Sequence, residues 1–352
     1  MKQDRPGSIL LVKLSAIGDV VHTLPLLETI KKNFPDTRID WLVEQEASDI
    51  VEGHGAIDQL IVSRRKSWQK RLRKVREIPK VVEEVMDFIG ELRGKRYDIV
   101  IDLQGLFKSG LLTGLCRGNR KIGLSGGREG SAFFLTERPY SVDYDQHAID
   151  RYLKAAEYLD CQATTSMGHI PLRPSDMEQV DRLLLENGLE EACLVAVNPM
   201  ARWVTKLWET EKFSALADRI IEAFPCEIVF TGSSQDRPTI DRIIGSMTQR
   251  AFNLAGRTSL KGLAYLFAKC RTLITTDTGP MHIAAAMNCP VVALFGPTAP
   301  ERTGPYGNGH RVVRAEIECS PCFKKKCDHK TCMRDITVDR VFEAVDQILV
   351  QP

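Results

Sequence analysis

Short apolar segments alternate with longer amphipathic ones along most of the 352-residue chain, and this alternation constrains the fold more than any other feature. Apolar runs of about five residues predict buried strands, and the segments between them carry apolar residues at the spacing of one helix face. Repeated strand–helix alternation predicts parallel sheets with right-handed crossovers. The predicted strands are 8–12, 39–43, 60–61, 99–102, 194–198, 227–231, 272–276 and 291–295, and the predicted helices are 20–32, 78–92, 105–116, 211–223, 239–246, 260–269 and 280–287.

The chain is too long for one core of typical size, and residues 168–174, with one glycine and two prolines, predict a linker. We therefore predict an α/β protein with two doubly wound Rossmann-like domains, 1–170 and 176–336. A hydrophobic content of 43% and a charged content of 27% are typical of a soluble globular protein. No apolar run reaches 18 residues, and residues 1–6 lead into a strand rather than a signal-peptide core. We expect a cytoplasmic protein.

Residues 275–282 (Thr-Thr-Asp-Thr-Gly-Pro-Met-His) lie between a predicted strand and a predicted helix. Pro280 suits the first helical position, and Asp277 or Thr278 suits the N-cap. Unpaired N–H groups and the helix dipole at such a start favour an anion, and a diphosphate would bind well there. His282 lies one turn further on, within reach of the same ligand. The alternative interpretation is an ordinary helix cap.

The chain opens with a comparable loop, residues 13–19 (Lys-Leu-Ser-Ala-Ile-Gly-Asp), after a short apolar strand. Gly18 allows the backbone to turn sharply or to approach a ligand closely. The chain contains neither G-x-G-x-x-G nor G-x-x-x-x-G-K-[ST], which argues against a nicotinamide enzyme and against a P-loop kinase. Asp19 could simply cap the following helix.

Together these loops resemble the bacterial lipopolysaccharide heptosyltransferases, glycosyltransferase family 9. Three further stretches match heptosyltransferase I members more closely than heptosyltransferase II members. The order of all the motifs, from about residue 8 to about residue 310, is more specific than any one of them. The matching runs are 12–25, 277–286 and 294–298 for the family, and 40–44, 102–109 and 146–151 for heptosyltransferase I.

The resemblance implies a glycosyltransferase-B fold, with two domains facing across a cleft and a last helix in 337–352 that packs back on the first domain. It also implies inverting transfer of heptose from ADP-L-glycero-D-manno-heptose to Kdo of the lipopolysaccharide inner core, with no cofactor required. Only residues 143–145 have the Asp-x-Asp spacing of metal-dependent glycosyltransferases, and they lie outside the matched motifs. The alternatives are heptosyltransferase II or another family 9 enzyme, a sugar-nucleotide epimerase, and a non-enzymatic polyanion-binding protein.

Site residues carried over from the family fall into three groups. Asp19 is the expected acid–base residue, which would take the proton of the acceptor hydroxyl. Residues 201–203 (Ala-Arg-Trp) depart from the Thr-Thr pair of heptosyltransferase I, so the exact donor stays open. The expected donor-binding residues are Lys206, Asp236, Thr258, Asp277, Thr278, Gly279 and His282, and the expected acceptor-binding residues are Lys13, Gly18, Arg64, Arg65, Lys66 and Arg128.

The net charge of +2 conceals a basic run, residues 64–80, in which nine lysines and arginines face one acid, Glu77. Such a cluster attracts nucleic acid, anionic lipid or a phosphorylated glycolipid, unless it is only a solvated helix. Trp68 is the one aromatic residue there, which argues against nucleic acid. The resemblance implies Kdo-lipid A as the partner, together with the anionic inner leaflet, and hence a peripheral position on the inner face of the inner membrane.

The ten cysteines fall into two groups. Cys319, Cys322, Cys327 and Cys332 are close enough in sequence to hold a structural zinc ion or an iron–sulfur cluster, and the alternative is free or disulfide-capable thiols. In either case we expect this loop to be structural and remote from the sugar chemistry. For the scattered cysteines we expect buried, reduced thiols: Cys116, Cys161, Cys193, Cys226, Cys270 and Cys289.

Overall fold

The computed structural model describes residues 5–162 and 168–350 and divides the chain into two compact units, Met1–Pro171 and Leu172–Pro352. The division falls within the predicted linker. Residues 1–4, which form part of the segment used to argue against a signal peptide, lie outside the described residues. Within the two described ranges, no helix is both long and apolar enough to cross a membrane.

The first unit is built on a five-stranded parallel sheet with the order β3-β2-β1-β4-β5. Its central strand, β1, is fully buried from Ile9 to Val12, because helices cover both faces of the sheet. The strands are β1 (Ser8–Val12), β2 (Arg38–Glu44), β3 (Gln59–Ser63), β4 (Arg96–Asp102) and β5 (Arg117–Gly123).

The predicted helix 20–32 is two helices in the structure. α1 ends at Val21 and α2 begins at Leu24, with Pro25 in the first turn of α2. Proline has no N–H and clashes with the preceding turn of a helix, so one continuous helix through Pro25 is disfavoured. The helices of this unit are α1 (Ile17–Val21), α2 (Leu24–Asn33), α3 (Gln45–Val51), α4 (Arg65–Arg71), α5 (Ile78–Gly94), α6 (Phe107–Leu115) and α7 (Ala148–Tyr158).

The second unit is built on a six-stranded parallel sheet with the order β11-β10-β9-β6-β7-β8. The two doubly wound domains predicted from the sequence are thereby confirmed. The strands are β6 (Cys193–Asn198), β7 (Cys226–Phe230), β8 (Phe252–Asn253), β9 (Cys270–Thr276), β10 (Val291–Phe295) and β11 (Arg311–Arg314). The helices are α8 (Pro174–Glu186), α9 (Thr210–Ala223), α10 (Arg237–Gly245), α11 (Leu260–Lys269), α12 (Gly279–Ala286), α13 (Pro300–Thr303), α14 (Thr331–Arg334) and α15 (Val338–Leu349).

The predicted packing of the last helix needs a correction. The apolar face of α15, with Val341, Val345 and Ile348, is buried in the core of the second unit, against α9 and the strands β9, β10 and β11. The side chain of Thr337 caps the helix by accepting a hydrogen bond from the N–H of Arg340 at 3.3 Å. The second unit therefore includes the segment that was expected to return to the first domain.

Two of the scattered cysteines also differ from the prediction of reduced thiols. Cys193 on β6 and Cys226 on β7 form a disulfide. The two residues are paired partners in the parallel register of neighbouring strands, with their Cα atoms 4.6 Å apart, which is within the range that a disulfide spans. Sequence separation alone could not reveal this proximity. Cys116, Cys161, Cys270 and Cys289 are free.

Each sheet reverses its strand order at one point, and ligands of doubly wound sheets bind beyond the carboxyl ends of the strands there. In the first unit this point lies between β1 and β4, where Val12 is the register partner of Asp102. In the second unit it lies between β6 and β9, where Asn198 is the register partner of Thr275. The loops singled out in the sequence follow β1 and β9, so both begin at a reversal point.

Candidate active site

Asp19 lies in the first turn of α1, just beyond the carboxyl end of β1. Its Oδ2 accepts a hydrogen bond from the N–H of Ala16 at 3.0 Å, and its Oδ1 accepts one from the hydroxyl of Tyr152 at 3.2 Å. The side chain remains 38% exposed. The carboxylate is therefore held by both oxygens and is still accessible, which a residue that receives a proton from a substrate requires.

Lys13, expected to bind the acceptor, is held mainly by protein groups. Its Nζ donates to the carbonyl of Leu103 at 2.8 Å and to the hydroxyl of Tyr152 at 2.6 Å, and it lies 4.0 Å from Oδ1 of Asp19. Burial lowers the pKa of Lys13, while the carboxylates of Asp19 and Asp102 oppose that shift. Lys13 contributes positive charge from beneath the site rather than a free ammonium at its surface.

A cavity of about 310 Å³ in the first unit is lined by Lys13 and Asp19 together with Arg128, Arg151 and Tyr152. Arg128 was expected to bind the acceptor, and its backbone N–H donates to the carbonyl of Gly105, on the turn that follows β4. Arg151 was not expected as a site residue, although it ends one of the matched motifs. Three cations and one carboxylate leave the cavity positively charged, so it favours an anionic molecule.

The floor of the cavity is shaped by the turn that follows β4. The buried Asp102 accepts hydrogen bonds from the N–H groups of Gln104 at 2.9 Å and Gly105 at 3.1 Å. Burial raises the pKa of Asp102, and these hydrogen bonds oppose the shift. Gly105 has a φ of +64° and accepts a hydrogen bond from the N–H of Arg128 at 2.8 Å. Gly18 is buried within α1 and does not line the cavity.

The basic residues at the start of α4 form a separate cluster around the buried Glu44. Arg65 contacts Oε1 of Glu44 at 2.8 Å, Lys108 contacts the same oxygen at 3.1 Å, and Lys66 lies 3.5 Å from Oε2. Burial would raise the pKa of Glu44, but the hydrogen bonds from Arg65 and Lys108 outweigh it and hold that pKa below its usual range. Arg64 is exposed at the N-cap of α4. None of these residues lines the cavity.

Lys108 connects this Glu44 cluster to the Asp19 loop, because its Nζ also donates to Oγ of Ser15 at 3.0 Å. Lys108 lies in the matched stretch 102–109 but was not expected to bind a ligand. Lys66 also lies 3.3 Å from Oε2 of Glu46, so three cations and two carboxylates leave an excess of one positive charge beside the loop that carries Asp19. The cluster can therefore favour anionic groups of a ligand that extends beyond the cavity.

In the second unit, Asp277 directly follows β9 and contacts both the predicted donor residue Lys206 and the loop after β10. Its Oδ2 accepts from Nζ of Lys206 at 2.5 Å and from Oγ1 of Thr298 at 2.6 Å. Nζ of Lys206 also lies 4.6 Å over the ring of Trp203. Asp277 thus serves as the partner that holds Lys206 at the start of α12.

The start of α12 has the predicted N-cap at Thr278, but the helix begins at Gly279, one residue before the predicted Pro280. Thr278 is the N-cap in extended conformation, Gly279 is the first helical residue, and Pro280 lies in the first turn. His282 lies further along this helix and is buried. The first turn of α12 therefore presents backbone N–H groups beside the ammonium of Lys206, a combination that suits a diphosphate.

Asp236 and Thr258 belong to two further loops at the same edge of the second sheet. Oδ2 of Asp236 accepts from the N–H of Ser233 at 2.8 Å and from its hydroxyl at 2.6 Å, so the carboxylate holds its own loop. The two loops meet where the N–H of Gly256 donates to the carbonyl of Gly232 at 2.9 Å. Thr258 is half-buried just before α11.

The four clustered cysteines do not form a ready metal site. Within the described part of the chain, the one group of three His, Cys or carboxylate ligand atoms within 4.8 Å of one another is Glu28, His54 and His169. That group is a weak candidate, because Nδ1 of His54 accepts from the N–H of Ala56, whereas a metal-bound histidine normally donates from its second nitrogen. Cys319 is exposed and Cys332 is buried, while the other two are half-buried.

The cysteine loop is close to the predicted donor residues, which corrects the expectation that it is remote. The N–H groups of Cys322 and Phe323 donate to the carbonyl of Pro297 at 3.0 and 2.8 Å. Oγ1 of Thr205, next to Lys206, donates to the carbonyl of Lys324 at 2.9 Å. Nζ of Lys325 lies 5.1 Å over the ring of Trp203, the ring that Lys206 also covers.

Comparison with known proteins places these observations in a family. Residues 85–333 match the model of glycosyltransferase family 9 (heptosyltransferase). The lipopolysaccharide heptosyltransferase 1 of Pseudomonas aeruginosa is 33% identical over 330 residues, which cover 93% of this chain and 89% of that protein. A glycosyltransferase family 9 structure from Veillonella parvula aligns with a TM-score of 0.82 at 24% identity, over 100% of this chain and 99% of that one.

The Escherichia coli heptosyltransferase WaaC, solved with ADP, aligns with a TM-score of 0.76 at 25% identity, over 97% of this chain and 99% of that one. Agreement over nearly the whole length of these chains confirms the predicted glycosyltransferase-B fold. The matched region includes the Asp277 loop, Lys206 and the cysteine loop. The chain therefore belongs to glycosyltransferase family 9, the heptosyltransferases.

Proposed function

We propose that this protein transfers heptose from ADP-L-glycero-D-manno-heptose to Kdo of the lipopolysaccharide inner core, with inversion at the anomeric carbon. The observation that carries the proposal is the oriented, accessible carboxylate of Asp19 in a positively charged cavity. Asp19 takes the proton of the acceptor hydroxyl as the oxygen bonds to the anomeric carbon. The bond from that carbon to the diphosphate breaks, and ADP leaves with the electron pair.

The second unit supports the donor half of this proposal. The departing diphosphate carries negative charge, and stabilising it is a large part of such catalysis. Thr278 and Gly279 offer backbone N–H groups, Lys206 offers an ammonium, and His282 lies on the same helix. These groups supply the positive potential without a catalytic metal, and we assign Asp236 and Thr258 to the nucleoside end. The similar WaaC structure holds ADP, which favours an ADP-linked donor.

The first unit supports an anionic acceptor. Kdo-lipid A carries carboxylates and phosphates, and the cavity places Arg128 and Arg151 beside Asp19. The Glu44 cluster, with Arg65, Lys66 and Lys108, would bind anionic groups further along the acceptor. We assign Lys13 to charge balance beneath the cavity and Gly18 to the local turn of α1.

The proposal is tested by one assay panel. ADP- and UDP-linked sugars are offered singly, with and without Kdo₂-lipid A, and both released nucleotide and glycosylated lipid are measured. Turnover only with ADP-heptose and Kdo₂-lipid A is the expected result. Turnover that needs an acceptor already carrying a heptose would select heptosyltransferase II activity or another family 9 activity. Conversion of the donor sugar without acceptor would indicate an epimerase. No turnover under any of these conditions would favour the non-enzymatic alternative, a polyanion-binding protein.

We also propose that the surface of α4, α5 and the segment between them holds the protein on the anionic inner leaflet. Val75, Val82 and Met86 are 81%, 52% and 62% exposed. Five exposed cations and two exposed carboxylates, Glu83 and Asp87, belong to this surface, which is therefore net basic. A surface that is both apolar and net basic binds anionic bilayers through both of its components. These cations are Lys70, Arg73, Lys74, Arg76 and Lys80.

Vesicle co-sedimentation tests this surface. A Val75→Ser/Val82→Ser/Met86→Ser variant should lose binding to phosphatidylglycerol vesicles and keep its rate on a short-chain soluble acceptor. Leu185→Ser is the matched control, because Leu185 is 62% exposed on α8 and lies outside the surface. Equal sedimentation of the triple variant and the control would refute membrane docking through α4 and α5.

A further inference from the structure

The hydroxyl of Tyr152 bridges the lysine and the carboxylate at the base of the cavity. It lies 2.6 Å from Nζ of Lys13 and 3.2 Å from Oδ1 of Asp19. An ammonium can only donate and an ionised carboxylate can only accept hydrogen bonds. The phenolic oxygen must therefore accept from Lys13, and its proton must point to Asp19. The direction of the whole chain of hydrogen bonds follows from the two end groups.

The surroundings keep Tyr152 in this role. Its side chain is 6% exposed on α7, and burial raises its pKa well above the usual value, so the hydroxyl stays protonated at working pH. Tyr152 therefore does not compete with Asp19 as a base. The N-terminus of the helix that carries Tyr152 is capped by the side chain of His147, which accepts a hydrogen bond from the N–H of Ile149 at 3.2 Å. A rigid, neutral donor of this kind keeps the geometry of its acceptor constant.

We propose that Tyr152 is a positioning residue for Asp19. Its hydroxyl and the N–H of Ala16 hold one carboxylate oxygen each, so the plane of the carboxylate is set before the acceptor arrives. The inference rests on the proposed role of Asp19 as the base. Tyr152 itself does not contact the reacting atoms, and in this proposal it acts only through Asp19.

Two consequences of removing the hydroxyl can be measured. Tyr152→Phe frees one oxygen of Asp19, and loss of near-attack geometry lowers kcat, here by roughly tenfold. The KM for the sugar nucleotide should stay unchanged, because that substrate is assigned to the second unit. A merely structural role would lower the folded fraction and would not lower kcat per folded molecule.

Tyr140→Phe is the matched control. Tyr140 is also 6% exposed in the first unit, and its hydroxyl has no hydrogen-bond partner within the described residues. Removing that hydroxyl removes the same atom from a similar environment without touching Asp19. Thermal unfolding monitored by circular dichroism gives the folded fraction, and every rate is divided by it. In Tyr152→Phe the ammonium of Lys13 loses one of its hydrogen-bond partners. A Lys13→Met/Tyr152→Phe variant removes that ammonium as well, so it shows whether the loss of kcat comes from a poorly paired buried charge or from the position of Asp19.

The expected result is a lower kcat with an unchanged KM for the sugar nucleotide in Tyr152→Phe. The fall in kcat should be retained in the double variant and absent in Tyr140→Phe. Recovery of kcat in the double variant would overturn the proposal, because the loss would then come from the buried ammonium. A kcat of Tyr152→Phe equal to that of Tyr140→Phe would also overturn it. Asp19→Asn separates the proposed role of Asp19 as the base from the proposed role of Tyr152. An active Asp19→Asn enzyme would refute Asp19 as the base. An inactive Asp19→Asn enzyme together with a normal kcat in Tyr152→Phe would refute only the positioning role of Tyr152.

Discussion

Replacing Lys206 with methionine removes the ammonium that Asp277 holds at the start of α12. Lys206 is 15% exposed in its side chain, and its Nζ contacts Asp277 at 2.5 Å. A charge-assisted hydrogen bond of a partly buried ammonium to phosphate contributes about 1.5–3 kcal/mol. That range corresponds to a loss of roughly 10- to 150-fold in affinity for ADP. The freed carboxylate of Asp277 would repel the diphosphate and add to the loss.

Isothermal titration calorimetry with ADP measures this effect directly. Lys206→Met/Asp277→Asn should regain part of the affinity, because it removes the repelling carboxylate together with the lysine. Lys212→Met is the matched control, since Nζ of Lys212 likewise pairs with a carboxylate, that of Glu209 at 2.7 Å, and lies 5.8 Å over the ring of Trp208. ADP affinity of Lys206→Met within twofold of that control would refute the assignment of Lys206 to the diphosphate.

Three further variants test the first unit, and chelation with EDTA tests the metal-free mechanism. Asp19→Ala should lower kcat by a factor on the order of 10²–10⁴ and leave ADP-heptose binding nearly intact, and near-normal kcat would reduce Asp19 to a helix cap. Arg64→Ala/Arg65→Ala/Lys66→Ala should raise the acceptor KM alone, and less so at high salt, whereas unchanged acceptor kinetics would exclude substrate contact. Glu44→Gln should lower the free energy of unfolding at pH 7 by about 1–2 kcal/mol, since a pair with half-exposed cations contributes less than a fully buried one. The pKa of Glu44 is lowered in the folded protein, so this contribution to stability is present above its usual pKa of 4.5 and is lost as the pH falls. In urea titrations at acid pH, the variant should therefore unfold at the same urea concentration as the wild type. Activity should survive EDTA, and strict dependence on added magnesium would overturn the metal-free mechanism.

The sequence predicts local features of this protein well because they depend on neighbouring residues. The strand β1, the cap at Thr278 and the proline in the first turn of α12 all follow from periodicity and capping rules. The division of the predicted helix 20–32 could also have been predicted, since Pro25 stands inside it. A proline with several helical residues on both sides marks a boundary in the pattern.

Contacts between distant residues are what the sequence could not show. Tyr152 stands 133 residues from Asp19, and only the sheet topology brings α7 to the end of β1. The partners of Arg65 and Lys66 were hidden for the same reason, because Glu44 lies about 20 residues earlier on a different element. A run of like charges in sequence therefore says little about how much of that charge is neutralised in the fold.

The contacts of the cysteine loop affect how inhibition experiments should be interpreted. Because Thr205 and Pro297 hold this loop beside Lys206, a reagent that alkylates Cys322 would disturb the donor end of the second unit without touching any reacting group. Inactivation by a thiol reagent would then resemble that of an enzyme with a nucleophilic cysteine. Protection by ADP and a measured loss of ADP affinity, rather than a loss of kcat alone, would identify the loop as the target.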